Sequence, residues 1–262
     1  MKTNQVYPTD LTDRQWDCIK ELIPPAKPGG RPRTLVMRAV INGILYVVVS
    51  GCQWRMLPRE YPAWQSVYTY FQQWRDDGTG PRLHDTLRAQ VRRLAGRHKQ
   101  PTAAALDSQS VKTTQLPGER GYDAGKKVKG RKRHILVDTL GLLLAVVVTS
   151  AALSDPAGAR LLLSRLGGAC KKRRRIWVDG TYRGQLLEWV LLHFRFCLHP
   201  VLRSDEQKGF VVLPRRWVVE RTFAWLTQCR RLGKDYEVLP SSSEAMIYIA
   251  MTRLMVRRLA AS

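Results

Sequence analysis

Ala103-Ala104-Ala105-Leu106-Asp107-Ser108-Gln109-Ser110 marks the point where this chain changes its pattern. An apolar run of strand length ends in a carboxylate, without the three-to-four-residue spacing of an amphipathic helix. Toward the C-terminus the same kind of run recurs at His134 to Val137, Leu142 to Thr149, Ile176 to Val178 and Phe194 to Val201. Helical spacing occupies Asp155 to Leu166 and Arg183 to His193 between the later runs. The order β-β-β-α-β-α-β followed by helices predicts an α/β fold, a mixed sheet with helices packed on it. Gly118 to Arg133, rich in Gly and Lys, reads as the connection between the first two strands.

Toward the N-terminus the pattern is helical. Thr12 and Gln15 form a capping box and Leu11 can staple to Trp16, which predicts a helix with Trp16, Ile19 and Ile23 inward, stopped at Pro24-Pro25. A basic, helix-breaking connector follows from Lys27 to Arg33, and Thr34 is the expected cap of a buried helix carrying Val36, Val40, Ile44 and Val47. Beyond the loop Gly51 to Pro58, the run from Trp64 turns Val67, Tyr68, Phe71 and Trp74 inward and leaves Gln65, Thr69, Gln72 and Gln73 outward. Uncharged amides and hydroxyls suit the reading of base edges, although an ordinary solvated helix face has the same composition. A fourth helix is expected from Pro81 to about Arg97.

The 262 residues carry 44 Lys and Arg against 21 Asp and Glu, a formal charge of +23. Such an excess favours a polyanion, because each phosphate neutralised releases a condensed counterion. Nucleic acid leads, with anionic lipid and ribosomal RNA as the other polyanions charge alone would admit. A hydrophobic content of 44% excludes global disorder. The longest apolar stretch, Leu142 to Leu153, is about half the roughly 20 residues of a membrane helix. With no apolar signal core at the start, the chain is expected in the cytosol. Five cysteines without a C-x-x-C pair predict reduced, structural thiols and no zinc site.

Chemistry is sought where strands deliver acids. Asp107 follows the first apolar run and Asp179 the fourth, so parallel neighbouring strands would bring both to one sheet edge, where ligand crevices form. Either aspartate alone is equally at home in a turn. A helix from about Pro214 packs through Val219, Phe223 and Leu226 and sets Arg216, Glu220, Thr227 and Arg231 on a more polar stripe, where Glu220 reads as a third acid or as a surface partner of Arg216. Three carboxylates in a basic chain are what two-metal phosphoryl transfer requires: hard divalent ions prefer oxygen ligands, and bound cations offset the mutual repulsion of the acids.

Four blocks complete the pattern: Leu106 to Lys112, Lys129 to Asp138, Val178 to Tyr182, and Val219 to Leu226. With Gln53-Trp54-Arg55-Met56-Leu57-Pro58 in the helical part, the chain resembles the DDE transposases of bacterial insertion sequences, in the group named after insertion sequence five. The resemblance implies a ribonuclease-H-like catalytic core, with Asp107, Asp179 and Glu220 as ligands of two Mg²⁺ or Mn²⁺ ions. It implies a helical, helix-turn-helix-like DNA-binding module over residues 1–98 and a catalytic domain over 99–262. The expected activity is hydrolysis at the element end and transfer of the freed 3′-OH to target DNA, by a homodimer on double-stranded DNA in the bacterial cytoplasm, associated with the nucleoid. A catalytically inactive, DNA-binding regulator is the alternative, and a nuclease without strand transfer a weaker one. The family's signature around the glutamate keeps Arg216 but shows Leu213 for its tyrosine and Thr227 for its lysine, leaving Arg221, Arg230 and Arg231 as replacement cations.

The DNA contacts expected are Arg31, Arg33, Gln65, Thr69, Gln72 and Gln73 in the helical module, Lys112 at the first strand, and Arg216 and Arg221 beside the glutamate. Lys126, Lys127, Lys129, Arg131, Lys132 and Arg133 read as a cationic arm in a strand-to-strand loop, or as a solvated charge run. Lys171 to Arg175 enters its strand from the end away from the acids. His134 and Asp138 read as core residues, Trp217 and Trp225 as packing, and Ser243 as the cap of the last helix.

Overall fold

The computed structural model describes residues 6–26, 29, 32–115, 118–166, 175–194, 197–201 and 217–262. Arg31, Lys171, Leu213 and Arg216 lie outside them.

The Thr12 capping box is present and starts α1 (Asp13–Asp17). Next come α2 (Met37–Ser50), α3 (Trp64–Asp76) and α4 (Thr79–Leu94). Val36, not Thr34, caps α2, with no side-chain cap bond and 68% exposed. Val40, Ile44, Val47, Val67 and Phe71 are buried, as their spacing requires.

The sheet comprises β1 (Ala103–Lys112), β2 (Gly121–Asp123), β3 (Val128–Asp138), β4 (Leu143–Ser150), β5 (Arg175–Val178) and β6 (Cys197–Pro200). Strand β1 is antiparallel to β3 and parallel to β5, β5 is parallel to β6, and β2 and β4 succeed one another along the outer edge of β3. Helices α5 (Asp155–Ser164) and α6 (Gln185–Phe194) cover one face. Helices α2, α3, α7 (Trp217–Thr227) and α8 (Pro240–Ala260) cover the other. Met37, Val40, Ile44 and Phe71 share a core with Ala105, Ile135, Val219 and Met246, so hydrophobic packing is continuous from the N-terminal helices to the sheet.

Two strands are longer than apolar content alone suggests. β1 continues through Asp107 to Lys112, and β3 begins at Val128, so Arg131, Lys132 and Arg133 are strand residues rather than a loop arm. They are 1%, 4% and 0% exposed. Ladder pairing with β1 is what draws them in, and burial of such charges requires partners. Arg131 donates to Asp235, Glu237 O and Val238 O. Arg133 donates to Leu232 O, and Lys132 lies between Asp123 and Asp155. Their expected role as exposed DNA contacts is therefore corrected: these side chains hold the interior together.

His134 is fully buried, its Nε2 paired with Thr149 Oγ1 at 3.0 Å. Burial, followed by the opposing pull of Asp155 and the push of Lys132 and Lys126, takes its pKa down to about 4. The folded chain keeps this imidazole neutral while the unfolded chain protonates it below about 6.5. Stability should therefore fall as pH drops from about 6.5 toward 4, by about 3 kcal/mol from this residue, and level off below that. His84, also fully buried and shifted down chiefly by burial, acts in the same direction. Urea denaturation across that window checks this: His134→Gln should flatten the slope, and an unchanged slope would refute the assignment.

Candidate active site

The register of the parallel pair builds the site. Ala105 of β1 is opposite Trp177 of β5, and two residues further along each chain stand Asp107 and Asp179. Carrying that alignment forward leads the two aspartates out along neighbouring chain segments. Asp107 is in mid-strand rather than at a strand exit. Asp179 is at an exit, because β5 stops at Val178. Asp107 also faces the side covered by α7, since it pairs with Ile135 and alternates with Ala105, both in that core.

Local bonds hold each acid. Ser108 N donates to Asp107 Oδ1 at 2.7 Å. Thr181 N donates to Asp179 Oδ1 at 2.8 Å, so Asp179 does open a turn as well as end a strand. The turn brings round Tyr182, whose hydroxyl is buried without a hydrogen-bond partner among the described residues. Its pKa is raised well above the ordinary value, first by burial and then by the charges of Asp107, Asp155 and Asp179, with Ser108 opposing. Tyr182 thus stands within electrostatic reach of both candidate acids. The spacing Asp179-x-x-Tyr182 was the signal available for it in sequence.

Behind β1 a second polar layer is already satisfied. Ser108 Oγ donates to Asp155 at 2.8 Å, Lys126 Nζ donates to Ser108 O at 3.1 Å, and Lys132 reaches Asp123 at 3.2 Å and Asp155 at 3.0 Å. Burial works against the ionisation of Asp123. Bonds from Ser110, the Lys126 backbone and Lys132 outweigh it and hold the pKa at about 2. This layer is an internal ion network, and it supports β1 directly beneath Asp107.

Glu220 lies in the first turn of α7, exposed, next to buried Val218 and Val219. Val219, Phe223 and Leu226 form the packing stripe their spacing predicts. Helix α7 packs on β1 and β3, so Glu220 belongs to the helix that covers Asp107's face. Among the described residues no three His, Cys, Asp or Glu side chains form a cluster able to hold a metal ion. Asp107 and Asp179 thus each follow a stretch of the paired β1 and β5, and Glu220 joins them in no such cluster among the described residues. The donor chemistry still fits a hard divalent cation, because both acids are carboxylates.

Gln65, Thr69 and Gln73 are exposed on α3, and Gln72 is partly so. Thr69 Oγ1 donates back to Gln65 O. Arg33 is exposed and bonds to Pro24 O, while Lys112, Lys126, Lys127 and Lys129 are exposed around the β1 end and the β2–β3 turn. Arg231 leaves the polar stripe: it is 9% exposed and donates to Glu237 and to Cys52 O, so its guanidinium is committed internally. Asp138 pairs with Arg92 and accepts from Leu140 N and Leu142 N, tying the β3–β4 turn to α4. Ser243 lies inside α8 and donates to Asp235 instead of capping the helix. Arg253, Arg257 and Arg258, on α8, carry no signal in their sequence context beyond charge.

Two family models match the chain. Residues 11–84 match "Putative transposase of IS4/5 family", and residues 98–255 match "Transposase DDE domain". Two proteins of Burkholderia cepacia are similar. The "Insertion element IS402 uncharacterized 16.2 kDa protein" is 34% identical over 124 residues, 45% of this chain and 78% of that protein. The "Putative transposase for insertion sequence element IS402" is 29% identical over 116 residues, 41% of this chain and 54% of that protein.

Proposed function

This chain belongs to the DDE transposases of the IS4/5 group, with a ribonuclease-H-like core, and from that premise we propose that it cuts and joins DNA at the ends of an insertion element. Asp107, Asp179 and Glu220 are the proposed ligands of two Mg²⁺ or Mn²⁺ ions. Such ions supply charge neutralisation at a phosphodiester under attack.

The observation that supports the reading is the parallel β1–β5 pairing, whose last aligned residues, Ala105 and Trp177, each stand two residues before one of the aspartates. Acids brought close repel, and bound cations would stabilise them together. Glu220, on a helix lying over the same face, completes the set when α7 settles against bound DNA. Exposed Gln65, Thr69, Gln72 and Gln73 read the terminal repeats, and Arg33, Lys112, Lys126, Lys127 and Lys129 hold flanking phosphates. Hydrolysis of the bond to the 3′-oxygen at the element end releases a 3′-OH. That hydroxyl then attacks a target phosphodiester, forming one bond as the target's own 3′-oxygen leaves.

The two ends must meet, so a homodimer on double-stranded DNA is the working form, in the bacterial cytoplasm at the nucleoid. Among the described residues no helix is long and apolar enough to cross a membrane.

Purified protein with end-containing duplex and Mg²⁺ should yield 3′-OH nicks and joined products, both abolished by EDTA. Nicks without joining would make it a nuclease, and binding without nicks a DNA-binding regulator.

A further inference from the structure

Helices α7 and α8 enclose a groove of about 250 Å³ lined by Trp225, Gln228, Arg253, Arg257 and Arg258. Its Trp225 wall belongs to a ladder of rings and cations that continues beyond the groove. The Arg221 guanidinium carbon is 4.4 Å from the Trp217 ring centre and 4.8 Å from that of Trp225, and the Arg258 carbon is 4.7 Å from Trp225. Two guanidinium groups thus converge on one indole.

Among the described residues none of Arg221, Arg253, Arg257 and Arg258 forms an ion pair. Asp138, whose charge reaches Arg221 and Arg258, is already paired with Arg92. Burial and then mutual repulsion lower the pKa of Arg253, through Arg257, and of Arg258, through Arg221. The Nε of Arg221 is buried without a partner. Like charges gathered around an aromatic ring with no acid among them are relieved by an anion that brings several acceptors at once.

We propose that the α7–α8 groove binds the phosphodiester backbone of duplex DNA through Arg253, Arg257 and Arg258, with Trp225 as its wall and Arg221 stacked on that indole. Arg253 and Arg257 are one helical turn apart, roughly 6 Å along α8. A DNA strand rises about 3.4 Å per nucleotide, so the two arginines address phosphates one or two nucleotides apart. The groove lies at the C-terminal end of α7, the helix that also carries Glu220. The choice of DNA as the polyanion rests on the proposed function; the presence of an anion site does not.

The test is duplex binding by the full chain in EDTA, read by anisotropy over about 50 to 300 mM salt. Arg257→Gln/Arg258→Gln should lose roughly tenfold in affinity per arginine at 0.1 M salt and flatten the slope of log K against log salt by about 2. Arg93→Gln/Arg97→Gln removes the same net charge from exposed positions on and just beyond α4 and should change the slope by less than half as much. Trp225→Leu should also weaken binding, with Trp225→Phe restoring most of it. Equal losses in the groove and control pairs would reduce the effect to general attraction and overturn the site. Displacement of duplex by inorganic phosphate at matched ionic strength would assign the groove to free phosphate instead. Because no divalent ion is present, failure of cleavage leaves this result untouched, and the two readings fail separately.

Discussion

Asp107→Asn, Asp179→Asn and Glu220→Gln should each lower end cleavage by at least about a thousandfold, equivalent to roughly 4 kcal/mol of transition-state stabilisation. Duplex affinity in EDTA should remain within about twofold of the parent. The substitutions are isosteric and remove only charge, so the β1 ladder and the Thr181 turn bond survive. An amide oxygen is a poor ligand for a hard divalent ion, and the loss is expected in the chemical step rather than in binding. Folded stability gives an independent readout. In the proposed site Asp107 and Asp179 share one charge cluster, so neutralising either relieves repulsion, and the denaturation midpoint should stay level or rise slightly. Single-turnover cleavage of end duplex at saturating protein measures the first effect. Cleavage that survives in any one of the three variants would remove that residue from the proposed triad.

Arg131→Ala should destabilise the fold by about 3–5 kcal/mol, the scale of stranding one member of a buried ion pair. Arg131 and Asp235 both have side chains 1% exposed, and the same guanidinium also serves Glu119 O, Glu237 O and Val238 O. Its removal leaves the buried Asp235 carboxylate, still bonded by Ser243 and Glu237 N, without its countercharge, and strips a donor from Glu119 O and from Glu237 O and Val238 O in the segment joining α7 to α8. Arg131→Met with Asp235→Asn removes both charges together and should recover part of the loss, a coupling that a surface cation would not show. Urea denaturation measures the stability. DNA affinity, read at a temperature where the variant is still folded, should be unaffected directly. A stable Arg131→Ala protein with weakened DNA binding would restore the exposed-arm reading of this basic run.

These two expectations separate what the linear pattern could reveal from what it could not. Asp107 and Asp179 were legible because an apolar run followed by a carboxylate is a local signal. The layout of strands around them was legible because Leu142 to Thr149 and Ile176 to Val178 carry strand-like composition. The basic run misled because Lys132 and Arg133 resemble any charged loop in composition. What buries them is the antiparallel pairing of Ser110 with Lys132 and Gln109 with Arg133, a contact between distant segments. The expected Ser243 cap failed for a related reason, while the Thr12 box formed: Ser243 had a stronger partner in Asp235 than any helix end offered.

The sequence by itself determined the order of the helices and of every strand but the short β2, the candidate acids and the strong positive charge, because each depends on residue type and short-range spacing. Only the tertiary structure decided that β1, with Asp107, lies parallel to β5, which leads into Asp179, that Arg131 and Arg133 face inward, and that Arg221 of α7 shares the Trp225 ring with Arg258 of α8. Those outcomes follow from register and helix packing, which bring together side chains whose local sequence context gives no sign of the partner they will meet.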